Sequence, residues 1–260
     1  MRIVPAEGKE EATNKIKPPG YRQAEFLLKK FGALTRQTLS DAMIHSSDRI
    51  DPDKTIHKLM ALKIMRRYTC MQGNAQVIDF YTLTKKGEEE IIGQSNPVDT
   101  DNPRMVLERL SLSDWHLSCC RKNGVREDAF WEKLYQKDGR IFLMPSLISY
   151  RLSIGKRIYL AALAAPRGGD PEDAASFLRS VTHIGEYLST RKSPWHFVVL
   201  CSHLRQMEDC AKLMDQAGGA REWSFLYRIE ANGEEQADPL SVLYIAHADG
   251  EEVETSIISL

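Results

Sequence analysis

The strongest constraint on the fold is the order of patterns over residues 21–92, where three short segments with helical spacing precede two strand-like runs. The first segment, YRQAEFLLKKFG, repeats apolar residues on one helical face and ends at Gly32. A second segment begins after Thr35, a residue type that caps helices. A third begins at Pro52, directly behind Asp51. The spacing therefore predicts three consecutive helices.

The two strand-like runs, IMRRYTCM and QVIDFYTLT, are joined by a short polar turn, Gln72–Ala75. Gly73 and Asn74 tolerate the positive φ that a hairpin tip often needs, so a β-hairpin is predicted. A last helical segment, KKGEEEIIG, closes the pattern. On either side, residues 1–20 predict a flexible arm, and residues 93–103, GQSNPVDTDNP, predict a linker.

The segments LMALKIMRRYTCM and YTLTKKGEEEI resemble the winged helix-turn-helix domains of bacterial DNA-binding regulators. In those domains a leucine-rich helix end followed by arginine leads into the hairpin, or wing, and Y-x-L-T-x-x-G leads out of it. The residues that match are Leu59, Leu62, Ile64, Arg66, Tyr81, Leu83, Thr84 and Gly87. Residues 21–92 are therefore expected to form a winged helix with α+β structure.

This resemblance implies that the third helix lies in the major groove of DNA and that the wing lies along the backbone or minor groove. Polar and basic side chains on the third helix, at the start of the second and around the wing are the candidate contacts, because phosphate contacts set affinity and its salt dependence. They are Arg36, Gln37, Arg49, Lys54, Thr55, His57, Lys58, Arg66, Arg67, Lys85 and Lys86.

Beyond residue 103 the pattern changes to alternating strands and helices. Two helices are predicted near 104–122 and 126–137, followed by the strand-like runs IFLMPSLISYRL and RIYLAALAA. A long amphipathic helix then begins at Pro171, and the strand WHFVVLCS, the helix SHLRQMEDCAKLMDQAG and the strands WSFLYRIE and SVLYIAHA follow. Residues 104–260 are thus predicted to form an α/β domain with a mixed sheet.

The two strand-like runs before the long helix resemble the restriction-endonuclease-like core. In that fold Pro-Asp opens one strand, acidic residues lie on the next, and their carboxylates hold a divalent metal. Here Ser146 follows Pro145, and the next strand carries alanines instead of acids. These alanines are Ala161, Ala162, Ala164 and Ala165. Serine and alanine cannot replace carboxylate ligands, so we expect a nuclease-like domain with no catalytic or metal-binding residues.

A winged helix joined to such a core resembles the replication-relaxation family of plasmid and integrative-element proteins, over roughly residues 20–250. The resemblance implies sequence-dependent binding of double-stranded DNA, in transcription control, replication or transfer of a mobile element, with a replication or conjugation protein as a partner and no cofactor. We expect a homodimer, because paired binding sites raise affinity and specificity.

Two other functions stay open. A metal-dependent nuclease would need displaced acids such as Asp170 with Glu172 or Glu186, although Asp170, Glu172 and Asp173 stand where a helix N-terminus favours acids. An adaptor would use the winged helix for protein contacts without DNA. The Cys and His residues at 116–120 and 201–210 lack the paired spacing of zinc sites, and Ser202-His203 lacks the geometry of a nucleophile and its base.

Charge is divided unevenly along the chain. Residues 1–92 carry 16 Lys and Arg against 12 Asp and Glu, whereas residues 93–260 carry 19 against 24. This division favours a DNA-facing first half. The sequence contains no apolar run of membrane-spanning length and no apolar core of a secretory signal, and its five cysteines lack regular spacing. These features predict a cytoplasmic protein with reduced thiols.

Overall fold

The chain folds into two compact units of mixed α/β structure, Met1–Leu117 and Ser118–Leu260. Helices accompany a four-stranded sheet in the first unit and a seven-stranded sheet in the second, which confirms the mixed class expected from the sequence. The structure is a computed structural model, and it describes all residues except 7–15, 47–49, 91–96, 122–124, 130–132, 138–139, 144–146, 152–155, 168–169, 191, 219–223, 230–242, 250–251 and 259–260.

The N-terminal unit contains the elements predicted over residues 21–92. Its elements in chain order are β1 (Arg2–Pro5), α1 (Tyr21–Phe31), β2 (Leu34–Thr35), α2 (Arg36–Ser46), α3 (Pro52–Ala61), β3 (Met65–Gln72), β4 (Ala75–Leu83), α4 (Lys85–Glu90) and α5 (Pro103–Cys120). The strands form an antiparallel sheet in the order β1-β3-β4-β2. The predicted helices and the hairpin are therefore confirmed as elements.

Capping side chains define where two of the helices begin. The Asp51 carboxylate accepts a hydrogen bond from the N–H of Lys54 at 3.1 Å, and Pro52 occupies the first turn of α3. The Thr35 hydroxyl likewise accepts a hydrogen bond from the N–H of Thr38 at 3.1 Å, ahead of α2. Both caps satisfy N–H groups that have no partner within the helix, so the predicted starts of α2 and α3 are confirmed.

The first residues of the chain differ from the flexible arm predicted over residues 1–20. Arg2–Pro5 forms β1, which pairs with β3 in a register that places Ile3 opposite Cys70. Ile3 packs against the buried cluster around Phe80. An apolar run this short predicts no strand by itself, and its partner lies far away in the sequence, so this pairing was not predictable from the local pattern.

The boundary between the units lies beyond the linker predicted at residues 93–103. All of α5 up to Leu117 belongs to the N-terminal unit, although the sequence pattern places this helix in the second domain. One buried cluster joins α5 and the segment before it to the sheet. Its members are Ala33, Phe80, Val98, Val106 and Leu110. The sheet buries this face only when α5 covers it, so the helix is part of the N-terminal core.

His116 on α5 is fully buried, and its ring meets that of Phe31 edge-on, with the centroids 5.6 Å apart. Burial, helped by the positive charge of Lys30, lowers the pKa of His116 from 6.5 to about 3. The imidazole is therefore neutral in the folded protein at physiological pH. In the unfolded chain it takes up a proton as the pH falls through 6.5.

Acidification is expected to destabilise the N-terminal unit through His116. Because the folded-state pKa is depressed, the stabilising contribution is complete above pH 6.5 and is lost as the pH falls toward 3, by up to about 1.4 kcal/mol per pH unit. Urea titrations at several pH values should show this loss in the wild type and a smaller loss in His116→Gln, whose amide does not titrate. Equal losses in the two proteins would contradict the prediction.

The C-terminal unit is built on a mixed sheet. Its elements in chain order are β5 (Val125–Ala129), β6 (Lys133–Lys137), β7 (Arg140–Leu143), β8 (Leu147–Arg151), β9 (Arg157–Ala164), α6 (Pro171–Ser189), β10 (Trp195–Cys201), α7 (Leu204–Gln216), β11 (Phe225–Ile229), β12 (Leu243–Asp249) and β13 (Glu252–Ile258). The prediction of a helix near 126–137 is wrong, because this part of the chain forms β5 and β6. The strand order is β13-β12-β11-β10-β9-β8-β5, with β6 and β7 paired separately.

Three central strands, β9, β10 and β11, run parallel, and the strands on either side pair antiparallel, which confirms the partly parallel sheet. The helices α6 and α7 cross over between parallel strands, and both pack on the same sheet face in one buried cluster. Phe197 and Tyr227 contribute its largest fully buried side chains. Among the described residues, no helix combines the length and apolar character needed to cross a membrane.

Candidate nucleic-acid interface

The outer face of α3 carries exposed side chains at two of the four predicted positions. Lys54 and His57 are exposed, and Lys58 is half-buried. The Lys54 side chain has 86% of its surface exposed. These residues follow the N-terminal cap of the helix, the end that a recognition helix directs toward base edges and phosphates.

The prediction that Thr55 contacts DNA is wrong, because its side chain is buried. Only 1% of the residue is exposed, and its hydroxyl donates to the carbonyl oxygens of Asp51 and Pro19, each 2.8 Å away. Residues four apart lie on the same helix face, so Thr55 shares the inward face of α3 with the buried Leu59. Its hydroxyl holds α3 against the segment before α1.

Two ion pairs occupy the N-terminal ends of α2 and α3. The Arg36 guanidinium lies 2.9 Å from the Asp53 carboxylate, and the Lys54 ammonium lies 3.1 Å from that of Asp51. The hydrogen bond with Asp53 raises the pKa of Arg36, and the hydrogen bond from the N–H of Lys54 lowers the pKa of Asp51. Solvent screens exposed pairs of this kind and they contribute little to stability, so a phosphate can displace either carboxylate at small cost.

The two arginines at the base of the hairpin have different surroundings. Arg66 is exposed, whereas Arg67 forms an ion pair with Asp79 on the neighbouring strand. Asp79 also accepts a hydrogen bond from the Thr69 hydroxyl at 2.6 Å. Successive residues of a strand point to opposite faces, so Arg67, Thr69 and Asp79 share one face of the hairpin and Arg66 lies on the other. Arg67 is therefore held by an acidic neighbour on the surface predicted to contact DNA.

The short helix α4 is fastened to the turn that follows α3. The Lys86 ammonium donates to the carbonyl oxygen of Leu62 at 2.8 Å. The Thr84 hydroxyl contacts the carbonyl oxygen of Ile64 at 3.1 Å and accepts a hydrogen bond from the N–H of Gly87 at 3.2 Å. A side chain at Gly87 would overlap the Ile64 carbonyl. Lys86 thus has a structural contact at the predicted interface, and the Thr-x-x-Gly sequence fixes the exit of the hairpin against the end of α3.

The structure leaves a smaller set of the predicted contacts exposed than the sequence suggested. Gln37 and Lys85 are exposed, and the Gln37 amide donates to Asp41 at 2.8 Å. Arg49 lies outside the described residues. The exposed predicted residues are Arg36, Gln37, Lys54, His57, Arg66, Lys85 and Lys86.

Sequence reasoning missed a charge network that joins the segment before α1 to α4. The Lys17 ammonium lies 3.7 Å from the Glu25 carboxylate, 2.6 Å from that of Glu90 and 4.3 Å from the centre of the Tyr21 ring. Burial raises the pKa of Glu25, although Lys17 opposes this effect. The signal in the sequence is an acidic residue three positions before Leu28, on the inward face of α1.

In the C-terminal unit, the positions compared with nuclease carboxylates are apolar where the structure describes them. Ala161 and Ala162 are fully buried in β9, and Ala164 is half-buried, while Ser146 lies outside the described residues. Asp170 accepts a hydrogen bond from the N–H of Glu172 at 3.0 Å as the cap of α6, which confirms the capping interpretation. Among the described residues, no three His, Cys, Asp or Glu side chains form a group suited to a metal ion.

Ser202 and His203 lie between β10 and α7 and have structural partners. The His203 imidazole accepts a hydrogen bond from the N–H of Gln206 at 3.1 Å and so caps α7. The Gln206 side chain accepts from the N–H of Ser202 at 2.7 Å and donates to the carbonyl oxygens of Ala165 and Pro166. These bonds tie the ends of β9 and β10 together, and they give His203 a role in the fold.

No protein-family model matches the sequence, and no curated protein matches it. The assignment of a function therefore depends on the residues and contacts described above.

Proposed function

We propose that the N-terminal unit is a winged helix that binds double-stranded DNA through α3 and the β3–β4 hairpin. The observation that carries this proposal is the exposed pair Lys54 and His57 on α3, next to a hairpin that Thr84, Lys86 and Gly87 anchor to the end of the same helix. A helix and a wing held in fixed relation can contact a groove and the adjacent backbone together.

The surface ion pairs suit a protein in which phosphates of bound DNA replace the carboxylates of Asp51 and Asp53 as partners of the basic side chains. Arg36 and Lys54 are positioned by Asp53 and Asp51 on an exposed surface, so their side chains are ordered before DNA arrives. Each phosphate contact changes the slope of log affinity against log salt by about −0.9. With four such contacts, a fourfold rise in salt weakens binding roughly 100-fold.

We further propose that the C-terminal unit is a nuclease-like scaffold without catalysis. In support, β8 and β9 are adjacent antiparallel strands followed by the amphipathic helix α6, and β9 carries buried alanines where a nuclease needs carboxylates. The unit would mediate homodimerisation or bind a replication or conjugation protein. On this proposal the protein is a regulator or accessory factor in transcription, replication or mobile-element transfer, similar to replication-relaxation proteins.

A mobility-shift assay with random-sequence duplex at a low and a fourfold higher salt concentration tests the DNA-binding proposal. We expect a shift that weakens strongly as salt rises, because phosphate contacts release counterions. A protein that never shifts the duplex would contradict DNA binding and favour the adaptor alternative. Supercoiled plasmid incubated with Mg²⁺ or Mn²⁺ should stay intact, and cleavage would overturn the non-catalytic scaffold.

Asp79→Asn is expected to strengthen DNA binding. The substitution removes the carboxylate that pairs with Arg67 and frees that guanidinium for a phosphate. One added phosphate contact should make the salt slope more negative by about 0.9 and raise affinity several-fold at low salt. The matched control is Asp101→Asn, which makes the same charge change at an exposed position outside the hairpin. Equal effects of the two substitutions would show that net charge alone is responsible.

A further inference from the structure

The hairpin forms the two central strands of the four-stranded sheet, because β1 pairs along the outer side of β3 and β2 along the outer side of β4. The register places Arg2 opposite Met71 and Val4 opposite Thr69. Met71 is one residue from the turn, so β1 brings Arg2 beside the tip of the hairpin. Arg2 is exposed, and 38% of the surface of Val4 is also exposed.

The tip of the hairpin has no positive charge of its own. Residues 69–79, TCMQGNAQVID, contain neither Lys nor Arg, and their one acidic residue is Asp79. Asp79 is bound by Arg67 and Thr69. The positive charge that a wing needs to contact the DNA backbone is therefore absent from residues 69–79, and β1 places Arg2 next to this part of the hairpin.

Arg2 lies on the same sheet face as Arg67. Residues directly opposite each other in an antiparallel pair share a face, which groups Arg2 with Met71, and alternation along β3 groups Met71 with Thr69 and Arg67. Met71 and Arg67 are four residue steps apart, which is about 13 Å along the strand. At a rise of about 3.4 Å per nucleotide, the two guanidinium groups would meet different phosphates of one strand.

We propose that Arg2 contacts a backbone phosphate of bound DNA and that β1 is a functional extension of the wing. This inference rests on the proposed DNA binding. It adds a residue outside the helix-and-hairpin pattern to the interface, and it gives β1 a function besides its packing through Ile3.

The test compares wild type, Arg2→Gln and Arg205→Gln by fluorescence anisotropy with a random-sequence duplex over a range of salt concentrations. Arg205 is an exposed arginine of the C-terminal unit, so it controls for loss of one positive charge. We expect Arg2→Gln to bind several-fold more weakly at low salt with a slope less negative by about 0.9, and Arg205→Gln to match the wild type. Arg2→Lys should restore most of the affinity, and thermal unfolding should show that all variants are folded.

The outcomes separate this inference from the proposed function. Salt-dependent binding by the wild type with an unchanged slope in Arg2→Gln would overturn the role of Arg2 and leave the winged-helix proposal intact. Equal losses in Arg2→Gln and Arg205→Gln would also overturn it, since net charge would then explain the result. A wild type that does not bind duplex at low salt would overturn both proposals.

Discussion

Gly87→Ala is expected to lower the free energy of unfolding of the N-terminal unit by about 3 kcal/mol, near the upper end for overpacked sites. A Cβ at this position would overlap the carbonyl oxygen of Ile64, and a backbone group cannot move aside as the end of a side chain can. The same shift would break the contacts of Thr84 and Lys86 with the turn after α3. Urea unfolding followed by circular dichroism measures the change.

Lys85→Ala is the matched control for this substitution. It introduces the same side chain two residues earlier in α4, at an exposed position, and exposed substitutions usually change stability by less than about 0.5 kcal/mol. Equal unfolding midpoints for Gly87→Ala and the wild type would show that α4 packs less tightly against Ile64 than the structure indicates. A large effect of Lys85→Ala would show that α4 tolerates no substitution, whatever its packing.

Cutting the chain after residue 92 is expected to abolish cooperative folding of the N-terminal unit, whereas a fragment that ends after residue 121 should fold. The shorter fragment loses the buried apolar side chains of α5 and of the segment before it. Among them are Val98, Val106, Leu110 and Trp115. Each contributes about 1.5–3 kcal/mol by burial, and the sum is comparable with the whole stability of a small domain.

Thermal unfolding and amide dispersion in NMR spectra of the two fragments test this boundary. The longer fragment should unfold in one cooperative transition and give dispersed signals, because it retains the cluster around Phe80. The shorter fragment should show neither property. A fragment of residues 1–92 that unfolds cooperatively at the same temperature would restore the domain boundary predicted from sequence.

The elements that sequence predicted correctly are those fixed by neighbours along the chain. Asp51 and Pro52 set the start of α3, and Thr35 sets the start of α2, through caps that involve residues within one helical turn. The hairpin turn depends on Gly73, whose φ is 62°. Such signals need no knowledge of distant parts of the chain.

The pairing register of the hairpin cannot be predicted by counting residues from the turn. Gln72 pairs with Ala75, but a bulge between Cys70 and Met71 shifts the pairing by one residue. As a result Thr69 lies opposite Asp79, and Arg67 comes within reach of the Asp79 carboxylate. A bulge is set by packing on both sheet faces, so a sequence pattern does not locate it.

Contacts between distant segments account for the remaining differences in the fold. The strand β1 forms because it pairs with the outer edge of β3 and because Ile3 packs against the buried cluster. The sequence predicts α5 as a helix, but only the sheet face that it covers shows to which unit the helix belongs. Both assignments require knowing which surfaces are left uncovered after the local elements form.

The candidate site was predictable in its position but only partly in its chemistry. The sequence placed Lys54 and His57 on the outer face of α3, and both are exposed. It also placed Thr55 there, although the phase of the helix turns this residue inward. The ion pairs of Arg36 with Asp53 and of Arg67 with Asp79 join residues far apart in sequence. The sequence pattern therefore does not predict that acidic side chains partly neutralise these two arginines.

The most direct test of the central claim is the salt dependence of duplex binding by the wild type and by the variant Lys54→Gln, Arg66→Gln, Lys85→Gln. A control variant, Lys192→Gln, Arg205→Gln, removes exposed charges from the C-terminal unit. If α3 and the wing bind DNA, the wild type and the control give steep, similar slopes, and the triple variant gives a slope smaller in magnitude by about 2.7. Identical slopes for all three proteins, or no salt-dependent binding by the wild type, would contradict the account.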